Sequence, residues 1–399
     1  MFKLIGKIQH YPWGGTTFIS TLLGIVNATN EAYAEYWMGA HPNAPSFVEQ
    51  SENQKIPLDK LIAGNPEYWL GKQTAERFGR LPFLLKVLDV KEMLSIQVHP
   101  SKQEAEKGFA RESEAGIPVN APHRNYKDDN HKPEMMLALS EFWLLHGFKT
   151  KERLLQTLNE TQAFKTLAPL FEKEGYYGLY KYVMQLPQAS VDDMLNPLLQ
   201  EASLLYQSHQ LSKSDPAYWA CKVLPTPGGP YRNIDRGIFS IYFFNLIRLH
   251  PGQAIFQGAG VPHAYLEGQN MELMSNSDNV LRGGLTSKHI DVPELLTHTL
   301  FEGITPRLVD GEKRGWETIF PCPVSDFVLS RIALSPLQSY RHIAFSAEIL
   351  HVADGEIEIV SGLQTVQLKK GETVFIRATE DYFIRAHTNT ILYKAAVPE

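Results

Sequence analysis

Gln97 and His99 stand two residues apart in Leu94-Ser-Ile-Gln-Val-His-Pro100. The stretch reads as a strand, and alternate strand residues face one side. Two metal-capable side chains would then point into one cavity while Ile96 and Val98 point into packed core. Two later stretches offer what this half-site lacks: Asn130-His-Lys-Pro-Glu134 and Gly258-Ala-Gly-Val-Pro-His-Ala-Tyr265. Gln97, His99, Glu134 and His263 supply two nitrogens and two oxygens if the amide binds through its carbonyl. That set suits one Zn2+ per chain, with iron, manganese or cobalt as other candidates, and leaves a position open for water or substrate. The amide is an unusual zinc ligand; being neutral, it leaves the ion more positive and favours polarising a substrate oxygen. A lone histidine is more often a surface or hydrogen-bonded residue. The weight rests on three separated stretches, each held by Pro or Gly.

A second polar stretch, Asn279-Val-Leu-Arg-Gly-Gly-Leu-Thr-Ser-Lys-His-Ile-Asp291, is poised for a ligand or is a solvated turn before a helix over 293–300. Gly283 and Gly284 let the backbone come close to something small, and the Arg282 guanidinium is a fixed fork for an oxyanion. Lys288 follows on the same loop. Asp278, four residues before Arg282, either orients that guanidinium or caps the turn. Lys86 lies inside the apolar run Leu81–Leu88, where a lysine either snorkels from a strand edge or has a task.

The elements must bring these pieces together. At 399 residues the chain exceeds what one core supports, so two or three domains are expected. A net charge of -6 with no dense basic run argues against a nucleic-acid binder. Two cysteines, Cys221 and Cys322, fit a reducing compartment and leave no thiolate metal site. No secretory segment or membrane-length apolar run is present, so the cytoplasm is the default. Short strands are expected over 2–8, 34–40, 81–88, 254–257, 327–332, 347–352, 356–360, 371–376 and 390–394, with Trp13 in the turn Tyr11-Pro-Trp-Gly-Gly15. Ile238–Ile247 is continuous enough for a strand buried on both faces. Short helices fit 58–63 and 66–70. Helical spacing runs from Lys151 to Leu211, with Ser190-Val-Asp-Asp193 in the manner of an N-cap, and the block closes at the loop 225–230. His250–Gln257 weakly echoes Lys369–Ile376; extending that alignment sets Tyr382 against His263. The echo means two related β-domains, only one keeping its ligand, or chance.

Ser-Ile-Gln-Val-His-Pro, Asn-Tyr-Lys-Asp-Asp-Asn-His-Lys-Pro-Glu, Val-Pro-His-Ala-Tyr and Asp-Asn-Val-Leu-Arg-Gly-Gly-Leu-Thr-Ser-Lys-His are similar to the signature segments of the type I mannose-6-phosphate isomerase family. Tyr11-Pro-Trp-Gly and Ala34-Glu-Tyr-Trp-Met-Gly-Ala-His resemble its N-terminal motifs. The match runs in order to about residue 300; Pro12 and Tyr36 depart from the usual residues, and the C-terminal part is less distinctive. The resemblance implies a mainly β chain of two cupin/jelly-roll β-domains with an inserted all-α domain. The boundaries would be 1–150 plus 230–317 for the catalytic cupin, 151–229 for the helical insert, and 318–399 for a metal-free jelly roll. It implies zinc on Gln97, His99, Glu134 and His263, and a catalytic Arg282. Phosphate contacts would fall on Lys86, Ser95 and Lys288, with Trp13 and Asp278 as further substrate contacts.

An aldose-ketose isomerase of this kind opens the sugar ring, moves a proton between C2 and C1 and stabilises a cis-enediol. Zinc and Arg282 would offset the charge on the enediolate oxygens. Glu272, His131 and Lys132 are the candidates for the acid and base, unranked. The expected partner is a small phosphorylated sugar, with no nucleic acid, no membrane and a monomeric chain. The rival from another class is a non-catalytic sugar-phosphate-binding cupin. A cupin oxygenase is disfavoured by the phosphate-type lysines, and a bifunctional nucleotide-sugar enzyme by the lack of a Gly-rich N-terminal segment.

Overall fold

The computed structural model describes residues 1–51, 54–224 and 230–399, so all of the expected 225–230 loop but Pro230 lies outside the described residues. The chain is mainly β, with antiparallel strands arranged in two sets. In the first, a sheet runs in the order Phe244–Leu249, Phe142–Phe148, His263–Ser275, Phe83–Val90, Glu35–Gly39, Lys7–Gln9. Glu134–Ala138 joins it through His263–Ser275 and carries Ala254–Gln257 on its other side; Ile96–Val98 pairs with His263–Ser275 and with Leu281–Gly284. In the second, Glu317–Phe320, Val328–Leu334, Thr390–Ala396, Glu348–Asp354 and Thr373–Ile376 are neighbours in that order. Ser339–Ile343, Asp381–Ala386, Glu356–Ser361 and Gln364–Lys369 form a separate sheet. Ile332, Leu350, Ile357, Ile359, Ile384 and Leu392 fill the space between these last two sheets.

Phe2–Ile5 pairs with Thr373–Ile376, as Phe2 opposite Phe375, and so joins the last set of strands. The expected 2–8 strand is therefore two, Phe2–Ile5 and Lys7–Gln9, in different sheets. Gly6 makes the switch possible, because a Cβ there would lie 2.4 Å from the Trp37 carbonyl oxygen. Phe47–Ser51 and Gln54–Pro57 follow Phe2–Ile5 into the last set. One continuous core, with Leu85, Leu137 and Leu273 from the first set and Leu329, Ile349 and Phe375 from the second, holds the two together. Full burial of each such side chain contributes about 1.5–3 kcal/mol.

Helices Lys151–Glu160, Ala168–Gln185, Gln188–Gln207 and Pro216–Lys222 form the expected helical block. It packs Leu154, Phe164, Leu179 and Leu195 against Ile96, Val98, Leu145 and Phe148 of the first set. Helix Gln188–Gln207 begins before the expected cap: Pro187 precedes it, and Ser190 lies inside. Asp192 instead accepts the backbone amides of Asn233 and Ile234 at 3.0 and 2.9 Å, which ties the return chain to the helix. The expected strand over Ile238–Ile247 is a helix, Gly237–Phe243, followed by strand Phe244–Leu249. Every residue of that helix is buried, and a run apolar on all sides has no period by which helix and strand differ. Helix Lys102–Glu114, with its Ser101–Glu104 capping box, was legible from the Ser-x-x-Glu spacing but absent from the sequence reading.

Strand His263–Ser275 positions most of the site. Its first half pairs with Phe142–Phe148 and Ile96–Val98, its second with Phe83–Val90 and Glu134–Ala138. Between the halves the register shifts from Tyr265 to Glu267, and Gly268 takes φ +128, with no room for a Cβ beside the Glu141 carbonyl oxygen at 2.5 Å. A one-residue bulge reverses which face alternate residues occupy. That is how His263 and Tyr265, odd in number, and Glu272, even, line the same cavity.

Candidate metal centre and active site

His99, Glu134 and His263 are buried and bring one ligand atom each to within 4.8 Å of one another. The Nε2 atoms of His99 and His263 lie 3.4 and 3.3 Å from the two Glu134 oxygens. Each ring turns its Nδ1 to a carbonyl oxygen, Asn279 for His99 and Val261 for His263, both at 2.9 Å. A carbonyl only accepts, so both rings carry their proton on Nδ1 and offer an Nε2 lone pair to the centre. His99 Nε2, fully buried, has no hydrogen-bond partner. Burial pushes the His99 pKa down to about 4, which keeps the ring in its neutral, metal-ligating form. Burial alone would raise the pKa of Glu134, but the pull of its charged surroundings, the Lys132 ammonium first, holds the carboxyl well below the usual range. Gln97 lines the same cavity and faces His263 across the strand pair. Two neutral imidazoles, a carboxylate and an amide around an orphaned buried nitrogen fit a zinc ion.

Beside this group lies a buried ion-pair network. Lys86 Nζ is 3.1 Å from Glu272 Oε2 and 3.3 Å from Glu35 Oε2, over the face of Trp37. Burial would lower its pKa, but Glu35 and Glu272 reverse that and raise it. Tyr265 donates its hydroxyl to Glu272 Oε1 at 2.9 Å. Burial raises the Glu272 pKa against the pull of Lys86. Lys132, 3.1 Å from Glu134, lines the same cavity. Glu35 and Tyr265 were missed in the sequence; Glu35 is in an N-terminal motif and Tyr265 two residues after a ligand, but neither had a visible partner.

Other expected residues fall elsewhere. His131 turns its Nε2 to Asp326 Oδ1 at 2.9 Å, beside the C-terminal Pro398 and Glu399, and is not brought to the Glu134 cavity. Asp278 accepts from Asn43 at 2.7 Å and stands 3.5 Å from His41, so its carboxylate is held by those two residues rather than by Arg282. Trp13 stacks with Tyr11 and packs beside Leu88, Leu94 and Tyr265. Ser95 is half-buried one residue before the Ile96–Val98 strand.

Arg282 sits directly opposite Gln97 in the pairing of Leu281–Gly284 with Ile96–Val98. The glycines after it serve packing rather than a ligand: a Cβ on Gly283 would meet Tyr180 Oη at 2.9 Å, and one on Gly284 the Gly237 Cα at 2.4 Å. Asp235, two residues before helix Gly237–Phe243, accepts the Leu285 and Thr286 amides at 2.8 and 3.1 Å and fixes the loop. Burial lowers the pKa of Arg282; burial and then Arg282 lower those of Lys288 and Lys127. Two lysines that each feel the Arg282 charge mark an anion-attracting rim. Lys127 was missed, although it lies in the same conspicuous Asn125–Glu134 segment.

The sheets and donor set define a metal-binding cupin with a helical block. Residues 1–151 match the family model described as phosphomannose isomerase type I, catalytic domain. The chain is 38% identical over 391 residues to mannose-6-phosphate isomerase of Escherichia coli (strain K12), covering 95% of each, and 31% identical over 433 residues to that of Mus musculus, covering 96% and 95%. It superposes on the crystal structure of mannose 6-phosphate isomerase from Salmonella typhimurium bound to fructose 6-phosphate and zinc with a TM-score of 0.87, at 36% identity over 100% of both chains. The chain belongs to the type I phosphomannose isomerase family.

Proposed function

We propose that the chain is a zinc-dependent aldose-ketose isomerase that interconverts mannose 6-phosphate and fructose 6-phosphate through a cis-enediol. The observation that carries this is the meeting of His99, Glu134 and His263 with a buried Glu272–Lys86–Tyr265 network in one cavity. Gln97, His99, Glu134 and His263 hold one zinc ion, which when bound supplies Lewis-acid polarisation of a substrate oxygen. Glu272 carries the proton between C2 and C1: its raised pKa makes it a stronger base than an exposed carboxylate, and Tyr265 and Lys86 fix its two oxygens. Lys132 attends ring opening beside it. Arg282 faces the charge that develops on the enediolate oxygens.

Lys288, with Lys127, meets the phosphate from the rim, and Ser95 and Trp13 bound the sugar's path. Lys86, neutralised by two carboxylates, serves the reacting end more than the phosphate. Asp278 braces the wall through His41 and Asn43. His131 has no part in proton transfer here. The units are 1–150 plus 230–317, 151–229 and 318–399, except that Phe2–Ile5, Phe47–Ser51, Gln54–Pro57, Glu312–Arg314 and Glu317 go with the last unit. Among the described residues no helix is long and apolar enough to cross a membrane. A monomer in the cytoplasm is our reading, supported by two cysteines that are both free thiols.

A coupled assay following fructose 6-phosphate formation from mannose 6-phosphate tests the reading. Turnover is expected; saturable binding without turnover, at full zinc loading, would replace it with a sugar-phosphate-binding cupin.

A further inference from the structure

The two sets of strands enclose a cavity of about 400 Å3 that shares no lining residue with the cavity at Glu134. Val87 and Met271 line it from the first set. They face each other in register and adjoin Lys86 and Glu272 in sequence, so they look out of the opposite face of the same two strands. His351, Ile391 and Tyr393 line it from the second set, and Phe18 and Leu22 come from helix Phe18–Leu23. Small molecules are bound in cavities of this kind, roughly 300–1,000 Å3, at junctions between units, apolar with a few placed polar groups.

The polar groups of this cavity lie in one row. Arg331 pairs with Tyr393, and Tyr393 with His351, across three neighbouring strands, so all three side chains leave the same face. With strands about 4.8 Å apart, the backbones of Arg331 and His351 are roughly 10 Å from each other. His351 is fully buried. Its Nδ1 meets the Thr373 hydroxyl at 2.9 Å, and Thr373 is not part of the lining, so the ring turns its Nε2 edge to the cavity. Nε2 has no hydrogen-bond partner among the described residues. Burial pushes the His351 pKa down to about 4, so Nε2 of the neutral ring either donates one hydrogen bond or accepts one. A hydroxyl answers both cases. At the other end of the row Arg331 is half-buried and meets the neutral Tyr393 phenol. Among the described residues the lining holds one carboxylate, Asp354, and Lys370 matches it at 3.6 Å. The Arg331 charge is therefore left for a ligand with one negative charge.

We propose that this cavity binds a small monocarboxylate with an apolar ring and a hydroxyl at its far end, of the hydroxyphenylalkanoate type, the hydroxyl on His351 Nε2 and the carboxylate on Arg331. The ring lies against Val87, Met271 and Ile391. A para-hydroxyphenyl ring with a two-carbon chain to its carboxylate has the length that a row roughly 10 Å long can hold at both ends.

Calorimetric titration of the zinc-loaded protein with p-hydroxyphenylpropionate, phenylpropionate and the uncharged p-hydroxyphenylpropionamide tests this. One molecule of p-hydroxyphenylpropionate should bind per chain, with a Kd of about 1 mM or tighter for a ligand of this size. His351→Leu should weaken it about tenfold and leave phenylpropionate as it was. Arg331→Gln should weaken both carboxylates about tenfold and leave the amide as it was, with zinc content unchanged in either variant. Arg331→Gln alters only a half-buried side chain, so it keeps the test available if His351→Leu does not fold. No saturable binding at tenfold the expected Kd overturns the proposal. So does p-hydroxyphenylpropionate binding that either folded variant leaves intact, which would put the carboxylate on the zinc ion or the Arg282 loop.

Discussion

Around Glu134 the first set of strands aims two imidazole Nε2 atoms at one carboxylate, while Glu348, which opens its strand opposite Ile376 as Glu134 opens its own opposite Gln257, has His342, Tyr382 and the Lys394 ammonium around it; the two sets are called the first and second barrel below. Glu134 and Glu348 are both buried, and both groups solve the same electrostatic problem of carboxylates out of water. They solve it differently: one with residues that leave room for an exchangeable ion, the other with a covalently attached cation. A barrel of this register therefore does not itself dictate metal binding. A few side chains on shared strand positions decide it, and the predictions below set those side chains against each other.

The largest effect is expected at Glu134. Glu134→Ala removes the carboxylate that both histidines approach, so zinc content should fall far below one per chain. Activity should drop by more than the about 100-fold that loss of an outer-shell partner costs. Metal analysis with the coupled assay checks this; full zinc content in the variant would move the ion elsewhere.

Arg282→Ala comes next. Lying opposite Gln97, the guanidinium should act on the transition state, so kcat and kcat/KM should fall together by about 100-fold with zinc unchanged. A KM rise with unaltered kcat would assign it to the phosphate instead. Lys288→Ala should show that second pattern: KM up about tenfold, the scale of one charged hydrogen bond, and kcat near wild type.

The smallest effect on turnover is expected in the second barrel, where the readout is stability. Burial would raise the pKa of Glu317, but Lys394 outweighs it and the carboxyl lies below its ordinary value. A depressed acid contributes stability above the unfolded-state pKa, about 4.3, and loses it as pH falls below that toward the folded value. Glu317→Gln should therefore be less stable at neutral pH, by about 3 kcal/mol for a broken buried pair, and should lose less between neutral and acid pH than wild type. Thermal melts across that range check it, and an unchanged acid dependence would remove Glu317 from the pairing.

The chemistry of the first barrel was legible because its candidate ligands sit in short, punctuated segments: Gln97 and His99 at strand spacing, and Glu134 and His263 after prolines. Its buried supports were not. Lys86 announced itself only as a misplaced charge, since the partners Glu35 and Glu272 lie about 50 and 190 residues away and meet it through sheet register. Gly283 and Gly284 carried a true signal of close approach but not of what approaches, which proved to be Gly237 and Tyr180. The echo between His250–Gln257 and Lys369–Ile376 sets Gln257 against Ile376 and, extended, His263 against Tyr382, but only the paired strands reveal that Glu348 stands where Glu134 does. The helix at Gly237–Phe243 shows the converse limit, where burial on every side erases the period that separates helix from strand.

The contrast between the barrels is tested most directly by titrating metal-free enzyme with Zn2+ while following bound zinc and isomerase activity together. Activity should be absent at the start, rise in proportion to bound zinc and level off at one ion per chain. Undiminished turnover after verified metal removal, or activity that climbs until two ions are bound, would contradict it.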